Sequence, residues 1–275
     1  MAKKKRDIAA HVNQVELIGR IAAPVKESAN NQFSRVVVII PGWDKGRKWI
    51  KYPITVVGDK RADVKKATYG DFLRCTCFLT EQDIKDDEGN IQKYRTLQMD
   101  SYREVGLMSG DMPTDSEPDF DGLCYSRVLL AGRNFIRKNK IEAGQLTPEV
   151  RQGNNGSYCY ITMRYEDPFQ APPEGDDFYK SMFIDFSING KIAELAGEWC
   201  KNRAQVIVRG ELMRRECDYL VKGQKPKEVR VSVMPNGFSF VNLDMSTPKR
   251  EPTGPVEDND VNDTSGLILD DDLPF

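Results

Sequence analysis

Two stretches of the chain alternate apolar and polar residues in short runs, and each alternation is interrupted once by a helical spacing. The first stretch contains Val15-Glu16-Leu17-Ile18-Gly19-Arg20-Ile21, Phe33 to Ile40, Tyr52 to Val57 and Phe72 to Leu79. Successive side chains of a strand point to opposite faces, so these runs predict strands with one buried face. The second stretch repeats the order with Val128-Leu129-Leu130-Ala131-Gly132-Arg133-Asn134, Tyr158 to Tyr165, Met182 to Ser187 and Ala204 to Leu212. Both opening strands carry Gly-Arg near their ends, which predicts that each stops at a glycine bulge or turn.

Between the third and fourth runs the period changes. In Lys191 to Trp199 the apolar residues Ile192, Leu195, Ala196 and Trp199 fall at helical spacing, which predicts an amphipathic helix with Trp199 in the core. Arg61 to Tyr69 is the shorter, more basic counterpart, with Ala62, Val64 and Ala67 as its apolar positions. Each unit then closes with a hairpin. Cys75 to Thr80 returns through Asp86-Asp87-Glu88-Gly89-Asn90 to Tyr94 to Val105, and Gln205 to Arg214 returns as Glu228 to Val233.

Five strands with a helix between the third and fourth is the order of the OB fold. The predicted architecture is mainly all-β: two tandem five-stranded OB-fold barrels and a disordered acidic tail. Residues 1–108 form the first unit, opened by a basic arm, Lys3-Lys4-Lys5-Arg6. Residues 109–121, acidic and holding Pro113 and Pro118, read as a linker, and residues 122–245 form the second unit. The second unit also carries a polar insertion, Ile141 to Ser157, which is either a loop on the ligand side or a spacer. Residues 246–275 are poor in large apolar side chains until their tip, so they predict disorder.

Charge alters this picture only at the ends. The chain has 40 Lys+Arg against 42 Asp+Glu, but residues 251–275 hold eight acids and no base, leaving 40 basic against 34 acidic residues before them. The body is mildly basic, which permits a nucleic-acid partner without requiring one. The basic arm fits an extension near nucleic acid, a nuclear signal or a membrane-surface patch. No run approaches the roughly 18 apolar residues that cross a bilayer, and the start lacks the apolar core of an export signal, so no membrane is expected and the location is cytoplasmic. The six cysteines, Cys75, Cys77, Cys124, Cys159, Cys200 and Cys217, never form C-x-x-C, and His11 is the sole histidine. Reduced core thiols are expected, with no metal and no cofactor.

Candidate chemistry lies in aromatic and basic residues that interleave, the combination that stacks bases and neutralises phosphates. In the first unit these are Arg35, Trp43, Lys45, Arg47, Lys48, Trp49 and Tyr52. Trp43 sits in a polar stretch where no core requires it; Trp49 and Tyr52 fit stacking or core equally. In the second unit they are Arg164, Tyr165, Phe169, Phe178, Tyr179, Lys180 and Phe183, of which some must be core. The tip, Asp270-Asp271-Asp272-Leu273-Pro274-Phe275, reads either as a solvated acidic end or as a docking peptide. In the second reading the acids steer it, Phe275 fills an apolar pocket and its carboxylate meets a cation. Catalysis is not expected. The acids Asp111, Asp115, Glu117, Asp119 and Asp121 lie in a proline-broken linker, and no nucleophile motif or phosphate-binding glycine loop accompanies them.

These features resemble the bacterial single-stranded DNA-binding proteins. Aspartates followed by Leu-Pro-Phe are similar to that family's C-terminal tip. Ile188-Asn189-Gly190-Lys191-Ile192-Ala193-Glu194-Leu195-Ala196 resembles its third strand running into the helix, where G-K-x-A-E-x-A is typical, and Val206 to Leu212 resembles the next strand. The first unit keeps Gly58 but matches the helix start only loosely in Asp59 to Val64. Where the family usually has tryptophan, this chain has Phe183 and Lys51, and a further family tryptophan corresponds to Cys217, while Arg214 and Arg215 keep the basic character before it. The resemblance implies sequence-independent single-stranded DNA binding, recruitment of replication and repair proteins by the tip, and a homodimer holding four OB folds. An OB-fold interaction adaptor without strong DNA binding is the alternative, since OB folds bind other ligands.

Overall fold

Strand β1 (Val12–Ile21) is followed by the two-residue β2 (Lys26–Glu27), β3 (Phe33–Pro41) and β4 (Trp49–Val57). Next come helix α1 (Lys60–Val64), β5 (Phe72–Lys85), β6 (Ile91–Met99) and a short β7 (Gly106–Met108). The second half runs β8 (Tyr125–Asn134), α2 (Lys138–Glu142), β9 (Val150–Gly153), β10 (Gly156–Glu166), β11 (Ser181–Asn189), α3 (Lys191–Trp199), β12 (Gln205–Glu216) and β13 (Lys227–Val241). This computed structural model describes residues 11–42, 49–111, 123–166 and 181–242. The described residues within Met1–Leu243 belong to one unit.

In the first half β1 pairs with β3 and β5, β3 with β4, and β5 with β6, all antiparallel. A parallel ladder from Ile54 and Thr55 of β4 to Leu97 and Gln98 of β6 closes the barrel. This is the OB order, with α1 between the third and fourth barrel strands. In the second half β8 takes the place of β1, pairing with β10 and β12, while β10 pairs with β11 and β12 with β13. Strand β11 lies against β13 at the closing seam. The fold class expected from the alternation is therefore the observed one, a tandem OB fold that is mostly strand.

The repeated Gly-Arg has a different structural meaning from the one the pattern suggested. Neither strand stops at its glycine: β1 runs through Gly19 to Ile21, and β8 through Gly132 to Asn134. The glycines instead allow the second barrel strand to cross closely. A Cβ on Gly19 would lie 2.7 Å from Ile39 O, and one on Gly132 would lie 2.5 Å from Arg164 O. The arginines then cap the loop before the fourth barrel strand, Arg20 Nη1 donating to Gly70 O at 3.4 Å and Arg133 Nη1 to Arg203 O at 2.9 Å.

The two halves join strand to strand. β1 and β8 pair antiparallel from Val12 opposite Ala131 to Ile18 opposite Tyr125. A central sheet with order β6-β5-β1-β8-β12-β13 results, and the buried apolar residues of both halves form one continuous cluster.

The helices differ from expectation. Helix α1 spans only Lys60–Val64, with Val64 its one buried residue. On α3 the buried residues are Ala193 and Ala196, and Trp199 is 54% exposed, not core. The small alanines let the helix sit close to the barrel, which leaves the last-turn indole outside the seam. The hairpin return also divides, with β6 ending at Met99 and β7 resuming at Gly106 after the Asp100–Val105 turn.

All six cysteines are buried and free. Burial pushes the Cys200 thiol up to about 12 and the Cys159 thiol up to about 11. Among the described residues no group of side chains could hold a metal ion, and no helix is long and apolar enough to cross a membrane.

Candidate nucleic-acid interface

OB folds present ligands to the outward face of their second and third strands. In the second barrel these are β10 and β11. Cys159, Ile161, Met163 and Tyr165 point inward and are buried, so Tyr158, Tyr160, Thr162 and Arg164 face outward. Across the ladder Tyr160 stands opposite Ser187, Thr162 opposite Asp185, and Arg164 opposite Phe183.

The aromatic members of this face touch in two pairs. Phe183, 37% exposed, lies 4.8 Å ring to ring from Phe135, whose N–H continues the β8–β10 ladder by donating to Thr162 O. Tyr160 is 57% exposed and meets Tyr158 edge-on at 5.7 Å. The arginines nearby are already paired with acids: Arg164 donates to Ser181 Oγ at 3.0 Å and pairs with Glu166 at 2.6 Å, and Arg151, opposite Tyr158, pairs with Glu149 at 3.2 Å.

The corresponding face of the first barrel is built by β3 and β4. Gly58 and Gly190, both at positive φ and both ending the third barrel strand, set the correspondence. Arg35 stands where the second barrel has Tyr160, Lys51 where it has Phe183, and Phe33 where it has Tyr158. Ala22, whose N–H donates to Val37 O as that of Phe135 does to Thr162 O, stands where the second barrel has Phe135. Arg35 and Lys51 are exposed, and Lys26 of β2 lies directly opposite Arg35. Trp49 begins β4, half-buried, with its indole Nε1 enclosed.

Three of the expected contact residues occupy other roles. Tyr52 is 2% exposed and donates its hydroxyl to Leu212 O of the other barrel at 3.0 Å; burial pushes its phenol up. Tyr165 is also core, because its parity on β10 is the inward one. Arg214 spans the two halves, donating to Lys51 O at 3.0 Å, to Tyr94 Oη at 3.4 Å and to Lys227 O. Its guanidinium is consumed by carbonyls rather than presented to phosphate. The symmetric tie comes from Arg95, which donates to Phe183 O at 2.5 Å and pairs with Glu81 at 3.4 Å. Lys51 O and Phe183 O are equivalent carbonyls, so each barrel's third strand is capped by an arginine from the other.

Arg215 is exposed on β12. Trp43, Lys45, Arg47, Lys48, Phe169, Phe178, Tyr179, Lys180 and the whole tip Asp270 to Phe275 lie outside the described residues. Sequence reasoning missed Tyr158, Tyr160, Phe135 and Lys26. The signal for the tyrosines was present, since Cys159, Ile161 and Met163 mark the inward parity of β10.

No family model matches the chain, and no curated protein sequence does. Solved structures do. The wild-type single-stranded DNA-binding protein from Thermus aquaticus is similar over 86% of this chain and 95% of its own, with a TM-score of 0.54 at 13% identity. A deletion mutant of that protein is similar over 88% of this chain and 98% of its own, with a TM-score of 0.55 at 13% identity. The class defined by the fold is thus the tandem OB fold. Over most of both chains, this fold is similar to that of the Thermus aquaticus structures.

Proposed function

We propose that this chain binds single-stranded DNA without sequence readout. The observation that carries the reading is the two aromatic pairs, half-buried Phe135 with exposed Phe183 and half-buried Tyr158 with exposed Tyr160, on the face where OB folds take oligonucleotides. Rings on a rigid sheet offer π-faces to any base, and stacking contributes about 1–3 kcal/mol per base. The Thermus structures support the reading through their shared fold. Titrating the protein with poly(dT) while following its tryptophan fluorescence tests it: saturable quenching that weakens steeply with salt is expected, and no salt-dependent binding contradicts it.

The finer parts of the reading extend this core. The chain acts as a binding protein rather than an enzyme, coating strands exposed in replication, recombination and repair in the cytoplasm. The segments at 43–48 and 169–180 supply further contacts through Trp43, Lys45, Arg47, Lys48, Phe169, Phe178, Tyr179 and Lys180. Residues 246–275 carry the recruiting tip, Asp270 to Phe275, on a spacer after the two OB units at 1–108 and 122–245.

Two chains associate through the outer face of the central sheet to give four OB folds. That face exposes Leu129, Ile207, Met213 and Met234 beside a cleft of about 570 Å³, with Glu16, Arg127, Arg209 and Glu211 supplying both charges for a self-complementary contact. Sedimentation gives a dimer mass on this account, and a monomer at micromolar concentration contradicts it.

A further inference from the structure

We infer that the two OB faces divide one strand of nucleic acid by chemistry, the second barrel stacking its bases and the first holding its phosphates. The inference rests on the single-stranded DNA reading above and goes beyond it, because a duplicated fold alone predicts two equivalent faces.

The equivalence fails at three matched positions. Where the second barrel places Phe135, Tyr160 and Phe183, the first places Ala22, Arg35 and Lys51. The change is concentrated at the middle of the face, since Phe33 matches Tyr158 and Trp49 remains at the far end, where the second barrel has Ser181.

Charge neutralisation differs in the same direction. On the second face Arg164 and Arg151 are each paired with a carboxylate, Glu166 and Glu149. Their charge is spent locally, and what the face offers is ring surface. On the first face neither Arg35 nor Lys51 pairs with an acid among the described residues.

Lys26 sits directly across the β2–β3 ladder from Arg35. Like charges placed opposite one another in a sheet are destabilising, so this arrangement carries a folding cost that an anion between them would relieve. The neighbouring acid does not relieve it: Glu27 is turned to Arg61, Lys65 and Ser34 on the other side of β2. Lys26 and Arg35 therefore stand side by side on this face, with Lys51 four residues along β4 from Thr55, the residue opposite Arg35, and the three offer cations to a phosphodiester backbone.

The test uses the full chain and a dye-labelled oligo(dT), with affinity measured by anisotropy over a series of salt concentrations. The Tyr160→Ala/Phe183→Ala variant should bind at least 30-fold more weakly at every salt concentration with an unchanged salt slope. The Lys26→Ala/Arg35→Ala/Lys51→Ala variant should lower the salt slope by about 2, at about 0.7 per phosphate contact on a single strand. An abasic oligomer of equal length should bind the aromatic variant as well as it binds the unaltered protein.

Tyr160→Phe and Arg35→Lys, which keep ring and charge, should retain the parent behaviour, and circular dichroism confirms that each variant is folded. If the aromatic variant changes the slope, or the cationic variant leaves it unchanged, the division is overturned while DNA binding stands. If the unaltered chain fails to bind oligo(dT), the underlying reading falls and the division with it.

Discussion

Val15 faces Val128 across the β1–β8 ladder, and each is the counterpart of the other in the two repeats. The pair therefore marks a local two-fold axis inside a single chain, with the register running symmetrically from Val12–Ala131 to Ile18–Tyr125. Both valines are buried, at 0% and 3% exposure, so the axis is also the middle of the shared core. The two repeats are thus joined through one continuous internal sheet.

The two barrels should therefore unfold together. Leu17→Ala and Leu130→Ala, one in each repeat, should each cost about 2–5 kcal/mol and shift the same single transition. Differential scanning calorimetry checks this; two separated transitions, with each substitution moving only one, would show that the barrels are independent.

Arg214 should behave as a structural residue. Arg214→Ala removes the side-chain donor to Lys51 O and one of the two donors to Lys227 O, the Tyr94 hydroxyl being the other, and should destabilise by about 1–3 kcal/mol in urea melts. The salt slope of oligonucleotide binding should stay as it is in the parent protein, and a fall in slope would return Arg214 to the DNA contact set.

Glu27 makes a pH-dependent contribution. The Arg61 guanidinium, helped by Ser34, lowers its carboxyl from the ordinary 4.5 to about 2. A depressed folded-state value means that the contribution is present above about pH 4.5 and is lost as the pH falls toward 2. The stability gap between the parent and Glu27→Gln, from urea melts at several pH values, should be constant near neutrality and close in acid. A gap that widens in acid contradicts the assignment.

The thiols should be inert in the folded protein. With every cysteine buried and the Cys159 and Cys200 thiols held at about 11 and about 12, the thiolate that reacts with disulfide reagents is scarce at pH 8. Labelling by an aromatic disulfide should be slow until denaturant is added; rapid native labelling of Cys159 or Cys200 would contradict their burial.

The repeat, the OB order and α3 were legible because they are local: alternation, Gly-Arg and a helical spacing are all carried by near neighbours. The outward parity of β10 is legible too, from Cys159, Ile161 and Met163, and the same parity places Tyr165 inward. The roles of Tyr52 and Arg214 were not legible. Each is decided by a carbonyl more than a hundred residues away, Leu212 O and Lys51 O, and no local pattern encodes which strand of the other barrel arrives there. Trp199 misled for a related reason, since helical periodicity marks an apolar face but not how closely Ala193 and Ala196 let the helix approach the barrel.

The most direct test of the central claim is ultraviolet crosslinking of oligo(dT) to the full chain, with adducts mapped by mass spectrometry. Adducts are expected on Phe135, Tyr160 and Phe183, and they should disappear in competition with excess unlabelled poly(dT). Adducts confined to the outer face of the central sheet, around Leu129 and Met213, or none under saturating conditions, would contradict it.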